Sequence, residues 1–124
     1  MRGSFRILIA DDERDMRDYL ARILPRMGHE VVSASENGRQ LVAEYNRLHP
    51  DLVITDVRMP ELDGLAAVSE IRRDQPVPVI FISAHQDAAP QELPGGPTLF
   101  LTKPIDRQEL ADAISGLMAP NGVE

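Results

Sequence analysis

Residues 52–64 read Leu52-Val53-Ile54-Thr55-Asp56-Val57-Arg58-Met59-Pro60-Glu61-Leu62-Asp63-Gly64. The opening Leu-Val-Ile-Thr is apolar without alternation, the pattern of a strand buried on both faces of a parallel sheet. It ends on an acid, Asp56. A short loop follows, and Asp63 stands where a side chain can cap a helix whose apolar stripe is Leu65, Val68 and Ile71.

The same order of strand, polar end and helix recurs on both sides. Residues 5–10 are nearly all apolar and run into Asp11-Asp12-Glu13. Met16, Tyr19, Leu20, Ile23, Leu24 and Met27 then recur at helical spacing, with Asp12 as the expected cap and Pro25 to Gly28 as the expected end. Residues 30–34 predict a second strand, and Leu41, Val42, Tyr45 and Leu48 place a helix over 36–48, closed by His49-Pro50. Residues 77–82 are a β-branched strand entered through Pro76 and Pro78, where a missing N–H is tolerable. Residues 98–101 predict a fifth strand. In the last helix Asp106 and Glu109 form a capping box, Leu110, Ala113, Ile114, Leu117 and Met118 form the stripe, and Pro120-Asn121-Gly122 stops it.

Strand–helix alternation with five strands predicts an α/β fold, a doubly wound parallel sheet with helices on both faces. One connection departs from the pattern. Between Ser83 and Thr98 stand Pro90, Pro94, Gly95, Gly96 and Pro97, so the fourth helix is expected to be short or irregular, at most one or two turns near 88–93. The chain is read as a single domain over 1–124, its core about 5–119, without an output domain.

Lys and Arg number 13 against 20 Asp and Glu, a net charge of −7 that disfavours nucleic acid and anionic membrane surfaces as partners. No cysteine is present, which excludes disulfides and thiolate metal sites. No apolar run reaches the roughly 18 residues of a membrane span, so a soluble, cytoplasmic chain is expected.

In open α/β sheets ligands bind beyond the carboxyl ends of the strands. That rule collects Asp11, Asp12, Asp56, Ser83 and Lys103 into one pocket from distant parts of the chain. Clustered carboxylates repel unless a cation lies among them, and hard oxygen donors suit Mg²⁺, or Mn²⁺ in its place. Lys103 adds a charge that a phosphoryl oxygen could use, and Ser83 a hydroxyl donor. A carboxylate so placed can attack a phosphoryl group and hold an acyl phosphate.

Four segments carry a resemblance: Ile7-Leu-Ile-Ala-Asp-Asp-Glu13, residues 52–64, Val79-Ile-Phe-Ile-Ser-Ala84 and Phe100-Leu-Thr-Lys-Pro104. Together they resemble the receiver domain of two-component response regulators, over about residues 6–118, in a stand-alone, chemotaxis-receiver-like form. The resemblance implies a flavodoxin-like (βα)5 fold with Asp56 as phosphoacceptor. It implies Mg²⁺ on Asp12, Asp56 and the backbone carbonyl of Arg58, with Asp11 acting through water. Lys103 would pair with Asp56 or its phosphoryl group, across a cis bond to Pro104. Ser83 and Phe100 are similar to the hydroxyl and aromatic residues that move on activation. Arg58 and His85 would flank the path of the attacking water, whereas His29 and His49 look structural or solvated.

The implied partners are a histidine kinase or histidine phosphotransfer protein and a downstream protein, with the chain a monomer or weak homodimer. The chain would catalyse only its own phosphorylation and dephosphorylation. A receiver fold working as an interaction module without phosphorylation is the alternative, and the intact set of five residues argues against it. A metal-dependent phosphatase would need an Asp-x-Asp strand end and room for a cap, and neither is present.

Overall fold

The computed structural model describes residues 3–84 and 93–119. Five strands, β1 (Arg6–Ala10), β2 (Glu30–Ser35), β3 (Leu52–Asp56), β4 (Val79–Ser83) and β5 (Thr98–Thr102), form one parallel sheet in the order β2-β1-β3-β4-β5. Among the described residues there are four helices, α1 (Arg14–Arg26), α2 (Gly38–Leu48) and α3 (Gly64–Ile71) between strands and α4 (Arg107–Leu117) after β5. The expected doubly wound, flavodoxin-like sheet is therefore present. Among the described residues between β4 and β5 none is helical, and most of the turn expected near 88–93 lies outside the described residues.

The apolar strands divide their side chains between two faces. On one, Ile7, Ile9, Ile54, Ile80 and Ile82 pack under α1 and α4, with Leu20, Leu24, Leu110 and Ile114. On the other, Leu8, Val53, Val79 and Phe81 pack under α2 and α3, with Leu41, Tyr45, Val68 and Ile71. Burial on both faces is why β3 and β4 read as unbroken apolar runs.

Local chemistry moves several expected boundaries. Asp12 does not cap α1. Glu13 is its N-cap and makes no side-chain cap bond. α1 continues through Pro25, because a proline in the last turn forfeits only one backbone bond. α2 starts at Gly38 rather than 36: Asn37 accepts from Gln40 N at 2.8 Å, and the Gln40 side chain accepts from Glu36 N at 2.8 Å. β4 starts at Val79 rather than 77, because the Val77 carbonyl is taken by the Arg72 guanidinium. β2 and β5 each extend one residue past expectation, to Ser35 and Thr102. β2 also slips against β1: Ile7 pairs with Val31 and Leu8 with Ser33, which leaves Val32 as a bulge. The caps at Asp63 and Asp106 stand as expected, accepting from Ala66 N and Glu109 N at 2.8 and 2.7 Å.

Candidate functional site: a carboxylate pocket at the strand ends

Sheet register assembles the site. Ala10 lies opposite Thr55, so the next residues, Asp11 and Asp56, come side by side. Ser83 lies opposite Thr102, which puts Lys103 just beyond it, with Lys103 N donating to the Ser83 carbonyl at 2.9 Å. The carboxylates of Asp11, Asp12 and Asp56 each offer a ligand oxygen within 4.8 Å of the others. Asp11 and Asp56 are buried and Asp12 is exposed.

The Lys103 ammonium enters this cluster. Its Nζ lies 3.3 Å from Asp56 Oδ2, 3.4 Å from Asp11 Oδ2 and 3.3 Å from Glu13 Oε1. Asp11 Oδ1 accepts from Glu13 N at 2.9 Å, whereas Oδ2 is buried with no hydrogen-bond partner among the described residues. Burial raises the Asp11 pKa against the lowering effects of that N–H and of Lys103. Burial, then the Asp11 charge, pushes Asp56 up to about 6, and Lys103 offsets only part of this. Burial alone would lower Lys103, but the Asp11 and Asp56 charges and its hydrogen bonds to Glu13 and Asp56 outweigh it and raise the ammonium's pKa.

Neighbours fix this frame. Arg17 Nη1 donates to the Asp11 carbonyl at 2.9 Å. Thr55 Oγ1 donates to the Asp56 carbonyl at 2.9 Å, and Gly64 N to the Val57 carbonyl at 2.7 Å. Gly64 has to be glycine here, since a Cβ would collide with the Asp56 carbonyl oxygen. The Lys103–Pro104 peptide is cis.

All five residues expected in the pocket converge on this end of the sheet. Ser83 is buried at the end of β4, and Arg58 is exposed just past Asp56. Phe100 is half-buried on β5, its ring stacked on Phe81 at 4.8 Å between centroids and 15° between planes. His85 lies outside the described residues. His29 and His49 are structural: His29 Nδ1 accepts from Phe5 N at 3.1 Å, and His49 ends α2 with a left-handed φ of 47°. Sequence reasoning missed Glu13, Arg17 and Thr55 as site residues. Glu13 carried no cap signal, because Asp12 was the expected cap; its place at the N-cap and beside Lys103 emerges only in the folded chain.

A parallel α/β sheet with three acids and a lysine at its strand ends belongs to the class of receiver-type signalling folds. Sequence comparison agrees, since the family model for the response regulator receiver domain matches residues 7–115. The chain belongs to this family. It is 39% identical over 113 residues to the chemotaxis protein CheY of Bacillus subtilis, covering 89% of this chain and 94% of that protein. It is 36% identical over 121 residues to the positive alginate biosynthesis regulatory protein of Pseudomonas aeruginosa, covering 95% of this chain but 49% of that one. The chain thus spans about half the length of the alginate regulator and nearly all of CheY.

Among solved structures, a response regulator receiver domain protein from Clostridium thermocellum superposes with a TM-score of 0.83 at 29% identity, covering 93% of this chain and 94% of that one. A CheX–CheY–BeF₃–Mg²⁺ complex from Borrelia burgdorferi has a TM-score of 0.79 at 27% identity, covering 90% of this chain and 87% of that one. Among the described residues no helix is long and apolar enough to cross a membrane.

Proposed function

We propose that this chain takes up a phosphoryl group on Asp56 in two-component signalling, from a histidine kinase or a histidine phosphotransfer protein. One observation carries the reading: an ammonium 3.3 Å from the Asp56 carboxylate, in a pocket that Asp11 and Asp12 also enter. The donor set fits a hard divalent cation, because three carboxylates gather there and the buried Asp11 Oδ2 makes no hydrogen bond among the described residues beyond its 3.4 Å ion pair with Lys103. Asp12, Asp56 and the Arg58 backbone carbonyl would hold Mg²⁺ or Mn²⁺, with Asp11 acting through water. When bound, the ion would neutralise charge on the phosphoryl oxygens.

This chain's own residues do the rest. An Asp56 carboxylate oxygen attacks phosphorus, and the bond to the donor's histidine nitrogen breaks, its electron pair leaving with the imidazole. The product is an acyl phosphate. With its pKa near 6, Asp56 is mostly ionised at pH 7 and so available as nucleophile. Lys103 holds one phosphoryl oxygen and the Ser83 hydroxyl donates to another. Phe100 moves inward behind Ser83, which shifts a surface that a downstream protein reads. The Borrelia CheX–CheY neighbour, described with BeF₃ and Mg²⁺, supports the choice of ligand chemistry.

The test uses Mg²⁺ and acetyl phosphate, whose acetate is then the leaving group. The protein should gain one acid-stable, base-labile phosphoryl group, and Asp56→Asn should gain none. Undiminished labelling of that variant would remove Asp56 from the role.

A further inference from the structure

Lys103 is already crowded by carboxylates before any phosphoryl group arrives. An ammonium has three N–H donors, and three carboxylates surround this one at 3.3–3.4 Å, with hydrogen bonds to Glu13 Oε1 and Asp56 Oδ2. To turn toward a phosphoryl oxygen it must loosen its hold on one of these carboxylates. Asp11 is buried, and its Oδ1 is pinned by Glu13 N. Asp56 is the acceptor itself. Glu13 remains. Its side chain is 66% exposed, and it occupies the N-cap of α1 without making a cap bond. Capping does not explain a glutamate at this position; the contact with Lys103 does.

We infer that Glu13 is a positioning residue that holds Lys103 back, its carboxylate competing with incoming phosphoryl oxygens for the same ammonium. The inference rests on Asp56 being the phosphoacceptor. Glu13 sets how readily Lys103 is released, and so how fast the pocket accepts phosphate. Because its backbone N–H is anchored on Asp11, the side chain can swing into solvent without disturbing the strand end.

The experiment compares the full chain with Glu13→Gln and Glu13→Asp, by labelling rate with acetyl phosphate and Mg²⁺, and by thermal midpoint. Gln removes the charge. Asp keeps the charge but draws it back by one methylene, which lengthens the 3.3 Å contact with Lys103. Both should label about two- to five-fold faster, the range an exposed lysine–carboxylate contact commands, with thermal midpoints unmoved. Titration with BeF₃⁻ and Mg²⁺, followed by NMR, should show tighter binding in both by a similar factor. A gain in Glu13→Gln alone would mean that charge repulsion acts on the donor directly, and would overturn the inference. No gain in either variant, or a shifted midpoint accompanying the gain, would overturn it too. Failure of the unaltered chain to label is a distinct result that strikes the assignment of Asp56.

Discussion

Arg72 grips the Val77 carbonyl twice, through Nε at 3.1 Å and Nη2 at 2.9 Å. The same buried guanidinium donates to the Pro97 carbonyl at 2.7 Å and to Thr98 Oγ1 at 2.9 Å. One side chain thus ties the end of α3 to the entries of both β4 and β5. The Val77 carbonyl takes two bonds from this one guanidinium, while the Pro97 carbonyl also accepts from Val79 N at 3.0 Å. Arg72→Met should therefore destabilise the domain by about 2–4 kcal/mol, read from urea unfolding. Arg72→Lys should recover only part of this, since an ammonium cannot span the fork.

Burial and mutual repulsion burden the metal-free pocket. Asp56→Asn should therefore stabilise the protein at pH 7 in EDTA, by about 1–2 kcal/mol in urea unfolding. Mg²⁺ should raise the thermal midpoint of the unaltered chain and do so much less for the variant. Equal responses to Mg²⁺ would place the ion elsewhere.

Gly64 lies against the carbonyl of Asp56, and its own N–H is bonded to Val57. Gly64→Ala forces the β3–α3 loop away from the strand end. A loss of about 1–3 kcal/mol in stability is expected, together with slower acetyl phosphate labelling. Unchanged labelling at reduced stability would show that the loop can shift without moving the acceptor carboxylate.

His29 gives the fold a pH dependence away from the pocket. Its ring stacks on Phe5 and its Nδ1 accepts from Phe5 N, which requires that nitrogen unprotonated. Burial lowers its pKa below the ordinary 6.5. Below 6.5 the unfolded chain therefore binds the proton more readily than the folded one. The contribution of neutral His29 is complete above 6.5 and fades as pH falls from there through the lowered folded value. Asp56, raised to about 6, works in the opposite direction over this range, so the His29 part is read as a difference: from pH 7.5 to 5 the urea midpoint of the unaltered chain should fall relative to that of His29→Gln.

The strands were legible because burial on both faces leaves no polar residue in β1, β3 or β4 apart from Thr55 and the terminal Arg6, Asp56 and Ser83. Asp63 and Asp106 were legible because cap chemistry is local. The pocket followed from the rule for strand ends. Arg72 was not legible, since an arginine at a helix end ordinarily faces water, and only the assembled loops supply its acceptors. The contact between Glu13 and Lys103 was also hidden, because it joins residues 90 positions apart through one rotamer of an exposed side chain. The start of β4 shifted for the same kind of reason: a carbonyl claimed by Arg72 cannot be foreseen from strand propensity.

The extra residue in β2 bears on the border of the sheet. A foreign strand laid along that outer rim would have to stay in step on both sides of Val32, where spacing and twist change. The irregularity breaks up the template that fibre-like stacking needs, so the domain can leave this side in water at high concentration without recruiting neighbours edge to edge.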